Sequence, residues 1–192
     1  MWRAQYTLYA ATVDSTGSQL NSATASPLNA PLVGRNDILH SSVASFSEEY
    51  AIACYVHARG SGVYPINEVR CSLLEVTNSG DDVGWFDTST DIFDTRGSVN
   101  EPLHAVSVAA LSTTEALVCY IYSLSSSPTT GGVRCFMAIL NEQSESLSKS
   151  SFDLDYDYPG DWDDLLTLVG SNWVTALTRT RAVVCIRGTK AV

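Results

Sequence analysis

The strongest constraint on how this chain can fold is a long internal repeat. Residues 42–58 read SVASFSEEYAIACYVHA and residues 107–123 read SVAALSTTEALVCYIYS, at an offset of 65 without a gap. Residues 172–188, NWVTALTRTRAVVCIRG, align with the second segment at an offset of about 65 to 66, and the cysteines set the offset at 66. Three copies of one segment predict three copies of one supersecondary unit, each of which buries its apolar surface against a neighbour. The register of the copies is marked by Cys54, Cys119 and Cys185.

Each copy has the pattern of an antiparallel hairpin followed by two further strands. Apolar residues lie before and after the polar turns SEEY, STTE and TRTR. A third strand is predicted at residues 69–76, VRCSLLEV, and at residues 133–140, VRCFMAIL. The polar stretches WFDTSTDIF and SSFDLDY alternate well enough to form a fourth, outer strand. The sequence therefore predicts an all-β fold of four-stranded antiparallel units, each of about 64 residues.

The first and last segments of the sequence match different parts of the unit. WRAQYTLY, at residues 2–9, aligns with the third strands, whereas RAVVCIRG matches a second strand. We therefore predict one domain with a split unit, in which residues 166–192 supply strands one and two and residues 1–39 supply strands three and four. Residues 40–103 and 104–165 are predicted to form the two complete units.

The phrase VAALSTTEALVCYIYS followed by GGVRCFMAIL resembles the repeat of β-propellers, in a form found in many uncharacterised microbial and algal proteins. The resemblance implies four-stranded blades packed face to face around an axis. Since natural propellers have about four to eight blades, we expect two chains of three blades to form one ring, with terminal strands exchanged to complete each split blade. The expected partner is thus a second copy, in a homodimer or a higher oligomer. A β-trefoil, which also has three four-stranded units, is the alternative fold and needs only one chain.

The charge of the chain excludes several kinds of partner. The net charge is -10, and the only lysines are Lys149 and Lys190, so the basic footprint that nucleic-acid binding requires is missing. No run approaches the roughly 18 apolar residues of a membrane span. The first residues, MWRAQYTLYAATV, lack the continuous apolar core of a secretory signal. We expect no nucleic-acid partner, no membrane span and no cleavable signal peptide in this chain.

The cysteines allow two interpretations. Cys54 with Cys71, and Cys119 with Cys135, take matching positions on strands two and three, so each pair could form a cross-strand disulfide. The third copy has Ala4 opposite Cys185, which cannot form this bond. This difference favours cysteine as a small buried apolar residue, with two disulfides as the alternative.

Three arginines and three aromatic residues are the candidates for ligand binding. Each arginine directly precedes the third-strand residue that aligns with Cys71 and Cys135. The arginines could pair with carboxylates between blades or face a repeated ligand site. The aromatic residues lie in polar, outer-strand or loop-like surroundings, where a ring could stack on a sugar. These candidates are Arg3, Arg70, Arg134, Trp85, Trp162 and Tyr158.

The segment DLDYDYPGDWDD is a candidate calcium site. Its carboxylates fall at positions 1, 3, 5, 9 and 12, a spacing similar to that of oxygen-ligand calcium loops. Tyr158 stands where glycine normally permits the turn, which favours a solvated acidic strand and turn with no cofactor. The candidate ligands are Asp153, Asp155, Asp157, Asp161 and Asp164.

Signals for catalysis are weak in this sequence. None of its three histidines accompanies a nucleophile motif, and VGSNW is not the G-x-S-x-G elbow. We predict a non-enzymatic binding module with lectin-like carbohydrate recognition, because this organisation resembles small propeller lectins that assemble partial rings into six blades with sugar sites between them. A structural subunit of a larger complex or particle is the alternative.

Overall fold

A computed structural model describes seven parts of the chain. They are residues 36–59, 66–76, 83–85, 91–96, 103–124, 127–157 and 172–186. These residues form eleven strands, all paired antiparallel, and no helix. The predicted all-β fold with antiparallel sheets is confirmed for this part of the chain. No helix of the described residues is long and apolar enough to cross a membrane.

The strands form two larger sheets and one separate hairpin. Sheet 1 has the order β1-β2-β3-β4, with β5 also paired to β3, and sheet 2 has the order β6-β7-β8-β9. The hairpin consists of β10 and β11. The strands of sheet 1 are β1 (Asn36–Ser45), β2 (Tyr50–Arg59), β3 (Ile66–Val76), β4 (Val83–Trp85) and β5 (Asp91–Arg96). The remaining strands are β6 (Leu103–Ala110), β7 (Glu115–Leu124), β8 (Ser127–Asn141), β9 (Ser146–Asp157), β10 (Asn172–Thr178) and β11 (Arg181–Ile186).

In the first turn of each sheet, a side-chain hydroxyl accepts hydrogen bonds from the backbone of the turn. The Oγ of Ser47 accepts a hydrogen bond from the backbone N–H of Tyr50 at 3.1 Å, and the Oγ of Ser112 accepts one from Glu115 at 3.0 Å. In the hairpin, Oγ1 of Thr178 accepts a hydrogen bond from the N–H of Thr180 at 3.3 Å. A serine or threonine side chain thereby satisfies backbone donors that the turn leaves unpaired, which explains why a hydroxyl residue opens SEEY, STTE and TRTR.

The core lies between the sheets. One face of sheet 2, with Val118 and Phe136, packs on the face of sheet 1 that carries Ile52 and Cys54. Because side chains alternate along a strand, the neighbouring residues of sheet 2 form its opposite face. That face, with Cys119 and Cys135 among its buried residues, packs on the hairpin. Sheet 2 is therefore covered on both faces.

The first strands of the three sheets lie side by side. β1 contacts β6, and β6 contacts β10. The Oγ of Ser42 accepts a hydrogen bond from the backbone N–H of Val108 at 3.1 Å, and the Oγ of Ser107 accepts one from Val174 at 2.9 Å. Ser42 and Ser107 correspond in the repeat, so the same joint occurs twice.

Candidate functional site

The structure joins the paired cysteines. Cys54 lies opposite Cys71 in the ladder of sheet 1, Cys119 lies opposite Cys135 in sheet 2, and both pairs are disulfide-bonded. The interpretation of these four residues as free buried thiols is therefore wrong. Direct cross-strand pairing places each pair of sulfurs within bonding reach. Cys185 is a free, exposed thiol.

Arg70 is held by a carboxylate of its own strand. Its Nε and Nη2 both donate to Oε2 of Glu68, at 3.0 Å and 2.7 Å. Residues two apart on a strand share one face, so the side chains meet directly. Glu68 is buried and the Arg70 side chain nearly so. The expected pairing of this arginine with a carboxylate is present, but it lies within strand β3 rather than between sheets.

The phenol of Tyr55 lies beside this ion pair. Tyr55 is opposite Arg70 in the β2–β3 ladder and is buried. Burial raises the pKa of the Tyr55 phenol above its ordinary value of 10.0, and Ser72 and Arg70 lower it by smaller amounts. The phenol therefore remains neutral through the physiological range, and the charges in this region come from Glu68 and Arg70.

Arg134 has a different environment from Arg70. Its guanidinium carbon lies 4.5 Å from the centre of the Tyr122 ring, a cation–π arrangement. In the ladder, Asp155 of β9 lies opposite Arg134. Arg134 is on the face of sheet 2 that packs against sheet 1, and its side chain is half-buried. It therefore lies at the junction of two sheets.

The structure describes the other candidates only in part. Trp85 ends β4, and three of the acidic candidates, Asp153, Asp155 and Asp157, lie in the extended backbone of β9. Among the described residues, no group of three or more His, Cys, Asp or Glu could hold a metal ion. The remaining candidates lie outside the described residues: Arg3, Tyr158, Trp162, Asp161 and Asp164.

A surface that the sequence did not reveal lies on the β10–β11 hairpin. One face of the hairpin, with Val174 and Val184, packs on sheet 2. The alternate residues of both strands point away from sheet 2 and are exposed. We call this the outward face, and it consists of Thr175, Leu177, Arg181, Val183 and Cys185.

The outward face carries apolar side chains at positions that are buried in sheet 1. Leu177 is 62% exposed, whereas Phe46, at the same position of the repeat, is 5% exposed. Val183 is 39% exposed, whereas the corresponding Ile52 is fully buried. The sequence does not distinguish these positions, because all four residues have the apolar character of a core strand. The difference arises from sheet 2, which covers Phe46 and Ile52.

Sheet 1 has a related exposed position on its first strand. Val43 is 64% exposed, whereas Val108, its counterpart in sheet 2, is 5% exposed and packs in the core shared with sheet 1. The turn that follows β1 carries two exposed acidic residues, Glu48 and Glu49. We call the exposed residues Val43, Glu48 and Glu49 the Val43 surface.

Comparison with protein-family models, with curated proteins and with solved structures finds no match for this chain.

Proposed function

We propose that this protein is a non-enzymatic binding module of the β-propeller type that works as an oligomeric assembly. The observation that carries this proposal is the stacked order of sheet 1, sheet 2 and the β10–β11 hairpin, with their first strands adjacent. Face-to-face stacking of separate sheets is the packing of propeller blades, which favours this interpretation over the β-trefoil. The two serine joints, at Ser42 and Ser107, give successive sheets the same relation to one another.

Oligomerisation completes the ring in this proposal. Two copies of a three-unit chain supply six units, which lies within the range of about four to eight blades found in natural propellers. The exposed apolar residues Leu177 and Val183 support this proposal, because a further sheet would bury them as sheet 2 buries Phe46 and Ile52. Its function is then to present repeated surfaces in a fixed array, as a structural or assembly subunit of a larger complex does.

The mass of the protein in solution tests the assembly. Light scattering over a range of micromolar concentrations is expected to give the mass of two or more 20.7 kDa chains. A molecule that remains a monomer at every concentration would contradict the proposal.

Disulfide formation tests whether two chains exchange their terminal strands in the split unit. In both complete units a disulfide joins strands two and three, and in the third copy the sequence alignment predicts Ala4 at the partner position of the free Cys185. Ala4 lies outside the described residues. If two chains exchange terminal strands, Ala4→Cys should bond to Cys185 of a second copy and give a covalent dimer on a non-reducing gel. A disulfide within one monomer would show that each chain completes its own unit, and the control Ala4→Cys/Cys185→Ala should form neither species.

Carbohydrate recognition is the second candidate function, and the environment of Arg134 favours it. Arg134 is a half-buried residue whose guanidinium lies on an aromatic ring at the junction of two sheets, with Nε and Nη1 buried, which combines hydrogen-bond donors with an apolar surface. Sugars are bound by this combination of groups. The lectin-like resemblance implies sites between blades, and this hypothesis is supported by the location of Arg134 between sheet 1 and sheet 2.

A glycan array tests this second candidate. Selective binding that free sugar competes away is expected for the wild type and should be lost in Arg134→Ala. Lys149→Ala is the matched control, because Lys149 also lies over a ring, that of Phe136 at 5.1 Å, but is exposed on β9. If the wild type binds no glycan selectively while its mass is oligomeric, the lectin hypothesis fails and the assembly function remains.

A further inference from the structure

We infer that the outward face of the β10–β11 hairpin binds the Val43 surface of a second copy, head to tail. This inference rests on the proposed assembly function and assigns its interface. We infer that the partner is a second copy of this chain, because the chain already covers the faces that correspond to the outward face in sheet 1 and in sheet 2. Sheet 2 covers the corresponding face of sheet 1, and the hairpin covers that of sheet 2.

The exposed apolar residues at the two ends of the stack correspond to the two sides of the internal interface. In the internal interface, Val108 on the first strand of sheet 2 shares one core cluster with Phe46 and Ile52 of sheet 1. At the ends of the stack, the exposed counterparts are Val43 on one side and Leu177 and Val183 on the other. A second copy that repeats the internal step brings Val43 toward Leu177 and Val183, which removes all three side chains from water.

The charges at the turns of these two surfaces are opposite. The turn of the hairpin carries Arg179 and Arg181, whereas the turn of sheet 1 carries Glu48 and Glu49. In the internal interface, Arg179 already lies 3.8 Å from the carboxylate of Glu115 on sheet 2. The head-to-tail joint would place Arg181, on the outward face, near the acidic turn of the second copy. Opposite charges orient such an encounter and disfavour the joining of two identical surfaces.

The new joint differs from the internal ones at one position. Ser42 and Ser107 accept the hydrogen bonds that connect neighbouring first strands, whereas the third copy has Trp173 at this position. An indole has no acceptor oxygen, so this joint depends on apolar and charged contacts.

The joint is heterologous, which allows a complementation experiment. In a ring of two copies, each joint pairs the Val43 surface of one copy with the outward face of the other. We would prepare Leu177→Glu and Val43→Lys, which add charge at exposed positions of a folded chain. Ser148→Glu is the control, since Ser148 is exposed on β9 and belongs to neither surface. Dimer dissociation constants would be measured by sedimentation, and folding would be checked by circular dichroism.

Each single variant is expected to weaken the dimer by about 100-fold, because a buried unpaired charge opposes both joints. Ser148→Glu should dimerise as the wild type does. An equimolar mixture of the two variants should recover dimers, since a mixed ring has one wild-type joint and one joint with opposite charges. Native mass spectrometry would identify this species as the heterodimer.

Three results would overturn the inference, and they have different meanings. If Leu177→Glu dimerises like the wild type, the outward face is not the interface, although the assembly proposal stands. If both variants are monomeric and their mixture stays monomeric, the two surfaces do not bind one another. If the wild type itself is monomeric at every concentration, the assembly proposal fails together with this inference.

Discussion

Sheet 2 and the β10–β11 hairpin contain the same repeated segment in different surroundings. Val118 and Cys119 of sheet 2 are buried, since neighbouring sheets lie on both sides. In the hairpin, Val184 is half-buried against sheet 2, whereas Cys185 is exposed. The comparison teaches that the repeat specifies a strand with two apolar faces, and that the neighbours determine which faces are buried.

The largest effect is expected from truncating the same repeat position in the two environments. Ile52→Ala removes a fully buried side chain and should lower the free energy of unfolding by about 2–5 kcal/mol. Val183→Ala changes a partly exposed side chain and should cost less than about 1 kcal/mol in a dilute, monomeric sample. Urea denaturation measures both values. Equal losses would contradict the assignment of an uncovered face to the hairpin.

Removal of cysteines should affect the stability differently in sheet 2 and in the hairpin. Cys119→Ala/Cys135→Ala opens a loop of 16 residues in sheet 2 and should cost about 3 kcal/mol, because the unfolded chain gains freedom. Cys185→Ala removes an exposed free thiol and should change the stability by less than about 0.5 kcal/mol. Thermal unfolding of both variants, with and without reductant, provides the measurement. Reductant should lower the stability of the Cys185→Ala protein, which keeps both disulfides, more than that of the double variant, which keeps only the Cys54–Cys71 bond.

A smaller effect is expected from alkaline pH on sheet 1. Burial raises the pKa of the Tyr55 phenol, so the folded state retains a proton that the unfolded state releases above 10.0. The stabilisation is complete below that pH and decreases as the pH rises through the pKa of the folded state. Tyr55→Phe should therefore flatten the dependence of stability on pH above 10.0. A variant with the same alkaline loss as the wild type would show that other groups cause it.

The smallest effect concerns the turn between β8 and β9. Glu145 has a φ of 49°, in the left-handed region that disfavours residues with a Cβ atom. Glu145→Gly should stabilise the protein by about 0.5–1 kcal/mol, because glycine takes this conformation without the steric cost. Glu142→Gly in the same turn is the control and should give no gain. If both substitutions destabilise the protein equally, the backbone of Glu145 is not under this restriction.

Much of the described fold follows from patterns in the sequence. The hairpin turns, the third strands and the cross-strand positions of the cysteines were all predicted, because alternation and turn residues act locally. The bonding of Cys54 to Cys71 was not, since the alignment of Ala4 with the partner position of Cys185 suggested packing instead. The bonding shows that a covalent link need not recur in every copy of a repeat.

The sequence was less informative about the candidate site. The partner of Arg70 is Glu68, two residues earlier on the same face of β3, and strand alternation alone could have identified it. The exposure of Leu177 could not have been foreseen, because it depends on what packs against the hairpin and not on the residue itself. An apolar residue on an uncovered face of a repeated unit has the same pattern in the sequence as its buried counterpart.

The serine joints have a further consequence for how the molecule avoids misassembly. An outer N–H of a first strand, such as that of Val108, would otherwise be available to pair with the strand of any neighbouring chain. The hydroxyl of Ser42 occupies this donor, and Ser107 does the same for Val174. Neighbouring sheets can therefore touch along their first strands without merging into one continuous sheet. Each serine therefore opposes amyloid-like strand addition through the same hydrogen bond that connects neighbouring sheets.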